Sequence, residues 1–258
     1  MNAFKHSGNY GVLIYSLPIV RHFGGGDFYL HLNQIDVLSR SYYNVPAPQE
    51  HQGRLNQRDF EFVRPLLAAQ DYIKSVQILD PARSEITHNL DRFRDLFVDH
   101  TRAGNYVDCY ATTFGIRDDK LKECLRQIPW LDVPRAQAIP GKTVVVNRTT
   151  RWIRPQLPEF YKGWRERGAD KEAIFVGLPE EHRLFCDQTG YDIDFLPVRD
   201  LLEMASVIKG VGRFMGNQSV ALSLAIGLGV EYYCEARRDL PIHHNECYFP
   251  NQPLGNYL

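Results

Sequence analysis

In "GRFMGNQSVALSLAIGLGVEYYCEA", residues 212–236, a polar knot of Gly216, Asn217, Gln218 and Ser219 separates two apolar runs. The first run reads as the end of a buried strand. The second is rich in small residues, carries Gly227 and Gly229 at its close, and reads as a helix packed against a sheet, followed by the strand "VEYYCEA". A helix cap needs one hydrogen-bonding side chain at its mouth. Here there are three, beside the free N–H groups of a helix start, and that combination suits an anion.

Working outward, the second half keeps the same rhythm. "TVVVNRTTR" (143–151) is a buried strand running into a basic, hydroxyl-rich loop, and "EAIFVGLPEEH" (172–182) is a strand, a turn and an acidic helix start. "DIDFLPV" is a strand and "RDLLEMASVIKG" a helix. Strands alternating with helices predict a parallel, doubly wound sheet. The first half repeats the scheme. "AFKHSGNYG" opens with a strand, "VLIYSLPIVRHF" is a helix complicated by Pro18, "GGGD" breaks the chain, and "FYLHL" is a second strand. Residues 41–56 read as a polar loop. "DFEFVRPLLAAQDYIKSVQIL" (59–79) reads as a helix interrupted near Pro65, then a strand. "DRFRDLFVDH" (91–100) reads as a short amphipathic helix.

"PWLDVPRAQAIPGK" (129–142), with three prolines and a glycine, marks a boundary. The expected fold is α/β, with two Rossmann-like parallel-sheet domains facing a cleft. Residues 1–135 form the N-terminal one and 140–258 the C-terminal one, whose last twenty or so residues form a tail crossing back to the first half.

The composition fits a folded globular chain of 258 residues with a formal net charge of −1, which does not favour binding to a nucleic-acid backbone. Its five cysteines are odd in number and lack C-x-x-C spacing, which argues against a disulfide framework or a zinc site and for a reducing, cytoplasmic setting. The longest nearly apolar run, Val220 to Val230, is too short to span a bilayer.

Ligands of open α/β sheets bind beyond the carboxyl ends of the strands. Three second-half loops lie there. Arg148 and Arg151 can grip phosphate oxygens, with Thr149 and Thr150 as hydroxyl donors. Glu180 or Glu181 can accept from a ribose or base, or simply complement a helix dipole. Asn217, Gln218 and Ser219 can hold a diphosphate, or one of them can serve as a plain cap. In the first half, His6, Asn9 and Tyr10 flank a glycine turn that matches neither G-x-G-x-x-G nor the P-loop.

In order, these loops resemble a compact GT-B glycosyltransferase of the heptosyltransferase-like kind, glycosyltransferase family 9. "SGNYGVLIYSLPIVR" resembles that family's opening, and "NRTTR", "GLPEE" and "MGNQSVALSLAIGLG" its second-domain loops. "FVRPLLAAQDYIKSVQILD" and "HNLDRF" resemble small bacterial and phage relatives. The resemblance implies transfer of a sugar from a nucleotide-diphosphate sugar, with the second domain binding the donor and the first presenting an acceptor it does not identify. It departs at two places. The aspartate expected after Gly11, the base in heptosyltransferases, is Val12, and Leu222 stands where the family has histidine. A base must then come from elsewhere, with His6 and Asp36 as candidates. No D-x-D signature appears, so neither metal nor cofactor is expected. Two other readings stay open: an inactive nucleotide or nucleotide-sugar binding protein, and another nucleotide-using transferase or epimerase. A nucleic-acid acceptor is not favoured by the charge, and the oligomeric state is not legible.

Overall fold

The computed structural model describes residues 1–34, 55–82, 84–93, 105–127, 129–150, 153, 161, 163–164, 168–235 and 255–257. The chain divides into two units, Met1–Trp130 and Leu131–Leu258.

The first unit starts with strand β1 (Ala3–His6), helix α1 (Tyr10–His22) and strand β2 (Gly26–Leu30). Helix α2 (Gln57–Ala68), β3 (Ile73–Ile78), the two-residue β4 (His88–Asn89), α3 (Tyr106–Thr113) and α4 (Asp119–Leu125) follow. The sheet order is β3-β2-β1-β4, with every pairing parallel. Asn9 caps α1 by accepting the Val12 N–H at 3.2 Å. Leu13, Ile14, Leu17 and Val20 bury one apolar helix body whose Pro18 lies inside an unbroken run. Helix α2 is likewise continuous through Pro65, which corrects the interruption expected there. Pro65 sits in the last turn, and Asn56 and Asp59 close a capping box at the other end, so one missing N–H does not end the helix. Of the helix expected over 91–100, the described part is a 3₁₀ turn, Leu90–Arg92, followed by Phe93 in helical conformation, and residues 94–100, like nearly all of the loop over 41–56, lie outside the described residues.

The second unit contains β5 (Val144–Asn147), β6 (Ala173–Val176), α5 (Pro179–Thr189), β7 (Asp194–Leu196), α6 (Leu201–Val211), β8 (Arg213–Asn217), α7 (Val220–Gly227), β9 (Glu231–Glu235) and β10 (Gly255–Tyr257). Its sheet order is β10-β9-β8-β5-β6-β7, again parallel throughout. Counted from β5, this is the doubly wound order of dinucleotide-binding sheets. All four residues of β5 are buried, as the run of valines predicts for a central parallel strand. Helix α7 is buried on nearly every side. Near the chain end, Gly255–Tyr257 pair with Tyr232–Cys234 of β9.

The segment joining the units is laced down on both sides. The Pro129 carbonyl accepts from Arg21 at 3.1 Å and the Trp130 carbonyl from the Tyr72 hydroxyl at 2.9 Å. The Leu131 N–H donates to the Gly227 carbonyl at 3.0 Å, and the Gln137 N–H to that of Ser206 at 2.9 Å. Trp130, Leu131 and Val133 are buried. Among the described residues, no helix is long and apolar enough to cross a membrane.

Candidate functional site

In the second sheet β6 and β7 lie on one side of β5, and β8, β9 and β10 on the other. The winding therefore reverses between β5 and β8, and a crevice opens at the carboxyl ends of those two strands. The loops that leave there are Arg148–Thr150 and Gln218–Ser219.

These loops are tied to each other by Asn217. Its side chain is fully buried, its Oδ1 accepts the Thr149 N–H at 3.0 Å and the Thr149 hydroxyl at 3.4 Å, and its Nδ2 donates to the Thr149 carbonyl at 2.7 Å. Asn217 thus acts as a clamp across the switch point, with its amide spent on the neighbouring backbone. The close approach depends on Gly216, where a Cβ would stand 1.8 Å from the Asn147 carbonyl oxygen. Ser219 caps α7, accepting the Leu222 N–H at 3.4 Å, and Gln218 is buried beside it. The first-turn N–H groups of α7 have no intrahelical partners and form the positive end of the helix dipole.

Arg148 departs from the expected phosphate grip. Its side chain is 2% exposed, and its guanidinium forms a two-pronged ion pair with Glu235 at the end of β9, Nε to Oε2 at 2.6 Å and Nη2 to Oε1 at 3.0 Å. Nη1 donates to the Gln188 side-chain oxygen, and the guanidinium lies 5.9 Å from the centre of the Tyr161 ring. The planar fork is thus turned inward and engaged, which fixes the root of the loop carrying Thr149 and Thr150. Arg151 lies outside the described residues. Glu180 is exposed in the first turn of α5, whereas its neighbour Glu181 is buried. The Glu181 carboxylate accepts the Leu178 N–H at 3.1 Å and also the Thr150 N–H. Burial pushes its pKa up, with the nearby charge of Glu180 adding to that and the two backbone N–H groups opposing it.

In the first sheet the winding reverses between β1 and β4. His6 closes β1, fully buried: its Nδ1 accepts the Gly8 N–H at 2.9 Å and its Nε2 lies 2.8 Å from the Tyr110 hydroxyl. That hydroxyl donates to the Val12 carbonyl at 3.2 Å. Both ring nitrogens are engaged, so His6 is a positioned member of the turn rather than an open proton acceptor. Asn9 is the α1 cap, and the Tyr10 hydroxyl donates to Asp59, tying the start of α1 to the start of α2. Burial, then the Asp59 hydrogen bond, push the Tyr10 pKa up. Asp36 lies outside the described residues.

The structure adds residues at these edges that sequence reading passed over. Asp91, in the turn after β4, accepts the Ser7 N–H at 2.9 Å and the Ser7 hydroxyl at 2.8 Å, and pairs with Lys5 at 2.6 Å. Its cue was the Asn89 side chain, which accepts the Asp91 N–H as a cap would. His31 continues β2, its N–H donating to the His6 carbonyl at 2.9 Å. Asn147 ends β5 and donates from Nδ2 to the Val176 carbonyl at 2.8 Å.

No protein-family model matches the chain, and no curated protein sequence matches it significantly. The solved structures it resembles include sugar-transferring proteins. The crystal structure of a glycosyl transferase family 9 protein from Veillonella parvula aligns with a TM-score of 0.65 at 10% identity, over 99% of this chain and 84% of that one. The dodecameric iron-containing heptosyltransferase TibC of Escherichia coli, in complex with ADP-D-β-D-heptose, aligns with a TM-score of 0.54 at 12% identity. That alignment covers 98% of this chain but only 61% of TibC. The chain thus has the GT-B-type fold of the family 9 glycosyltransferases, two parallel α/β units in one polypeptide.

Proposed function

We propose that the protein is a glycosyltransferase that moves a sugar from a nucleotide-diphosphate sugar to an acceptor, with the donor held at the carboxyl edge of the second sheet. One observation carries the reading: Asn217 clamps the Thr149–Thr150 loop to the mouth of α7 at the switch point of that sheet. The likeness to sugar-transferring proteins is one of fold, and it supports the reading as analogy. In this proposal the first-turn N–H groups of α7, with Thr149, Thr150, Gln218 and Arg151, meet the diphosphate. They stabilise the charge that develops on it as the anomeric carbon–oxygen bond breaks, a preorganised electrostatic role. Arg148 serves from behind, as the anchor of the loop. The acceptor side falls to the first unit.

A second reading has its own observations: Val12 carries no proton-accepting group, and His6 is engaged at both nitrogens. It makes the protein a nucleotide-sugar binder without turnover. Calorimetric titration with nucleoside diphosphates tests what the two readings share. Gln218→Ala and Arg151→Ala are expected to weaken binding about tenfold or more, Gln218→Ala also lowering the melting point of the free protein because the side chain is buried. Unchanged affinity in both variants would reduce the loop to a helix cap. Release of nucleoside diphosphate from a panel of nucleotide-sugars, measured with and without Asp36→Asn, then separates transferase from binder. A general base is worth ~10²–10⁴ in rate.

A further inference from the structure

Asn147 holds a buried side-chain oxygen, Oδ1, without a hydrogen-bond partner, in a side chain that belongs to the most protected part of the second unit. The residue is 3% exposed and closes the central strand β5 at the switch point. The orientation of its amide is fixed by chemistry. Nδ2 donates to the Val176 carbonyl at 2.8 Å, and a carbonyl only accepts, so the orphaned atom is the amide oxygen. Glycine on one side makes room for this amide and on the other for the backbone that carries it. A Cβ at Gly177, past the end of β6, would stand 2.6 Å from Asn147 Nδ2, and one at Gly216 would collide with the Asn147 backbone.

An amide oxygen buried without a donor is a cost that an apolar side chain would avoid. The three preceding positions, Val144–Val146, are valine. An orphaned acceptor at a sheet's carboxyl edge calls for a ligand or an ordered water. The other groups at this edge, the first-turn N–H groups of α7 and the threonine hydroxyls, are donors and suit phosphate oxygens. Asn147 Oδ1 only accepts, and an ionised phosphate has no hydrogen to give. Its complement is the O–H group that lies next to a diphosphate in a nucleotide-sugar, on either of the two sugar rings. We propose that Asn147 reads a ring hydroxyl of the bound nucleotide-sugar, making it a specificity-determining residue. This rests on the donor site proposed above.

The test is calorimetric titration of the wild type and Asn147→Leu with ADP, UDP and GDP, their 2′- and 3′-deoxy counterparts, their glucose conjugates and the corresponding monodeoxyglucose conjugates. Asn147→Leu is expected to melt near the wild-type temperature, since it removes an unmet acceptor together with the bond from Nδ2 to the Val176 carbonyl, yet to bind about tenfold or more weakly. A loss confined to the glucose conjugates assigns the hydroxyl to the transferred sugar. A loss seen with the plain diphosphates, and matched in the wild type by their 2′- or 3′-deoxy forms, assigns it to the ribose. Equal affinity of wild type and variant overturns the inference and leaves the donor site standing. Failure of the wild type to bind any of these probes overturns both. If Asn147→Leu does not fold, the wild type carries the test: about tenfold weaker binding of one deoxy analogue, in either ring, supports the proposal, and equal affinity for all of them overturns it.

Discussion

At the scale of single residues, several of the polar groups picked out in the sequence that lie among the described residues follow strand ends but are turned to other work. Asn217 is the clearest case. Its place at the end of β8 was legible, yet its amide is spent on the Thr149 backbone, because two loops meeting over a parallel sheet must satisfy their buried N–H and C=O groups locally. Arg148 shows the same limit. A basic residue after a strand reads as solvent-facing until the partner 87 positions away, Glu235, is known. His31 passed unnoticed because nothing local marks it. Burial, and then the charge of Lys5, lower its pKa below the ordinary value of 6.5, against a smaller opposite pull from Asp91. The unfolded chain therefore binds this proton more readily than the folded one. The contribution of His31 to stability is complete above pH 6.5 and is lost as the pH falls below it. Thermal melts between pH 7.5 and 5 are expected to show a decline that His31→Gln flattens. His88, lowered by burial alone, adds in the same direction.

At the scale of elements, period and punctuation were enough to place nearly every strand and helix of the second unit, because its strands are short apolar runs bounded by glycine and its helices start at Asp200 and Ser219 caps. The prolines misled. Pro65 suggested an interruption, but a helix that buries Phe60, Val63, Leu66 and Leu67 outweighs one absent hydrogen bond. Nor does the sequence show how closely β8 approaches β5. Gly216→Ala is expected to be among the most damaging small substitutions in the chain, since its Cβ would overlap the Asn147 carbonyl rather than a side chain that can turn aside. The expected loss is at or beyond the upper end of the ~1–3 kcal/mol of ordinary overpacking, read as a lower denaturant midpoint with an unchanged slope.

At the scale of the whole molecule, the alternation of strands and helices in each half was sufficient to read two parallel sheets, since parallel neighbours require crossovers. The strand order was not legible, because no local signal tells β8 to return to the far side of β5. That order is what puts the two candidate loops side by side. If the second unit alone holds the donor, hydrogen exchange with and without a saturating nucleoside diphosphate is expected to slow at residues 147–150 and 217–222. Exchange within residues 1–130 should be unchanged. Slowing confined to the first unit would reverse the assignment of donor and acceptor sides.

The lacing around the Trp130–Leu131 bond bears on how the polypeptide can be divided. A proline-rich stretch invites the view of a slack connector that a protease would cut. Here the nearest exposed basic residue past the division is Arg135, and it lies beyond buried Leu131 and Val133. Tryptic cleavage after Arg135 would carry off the pentapeptide whose first N–H is bonded to Gly227 at the end of α7. The released piece would begin without two of its own core side chains. A fragment meant to fold as the second unit should therefore begin no later than Leu131, and one that begins at Ala136 should be recovered as a less stable, more readily digested species.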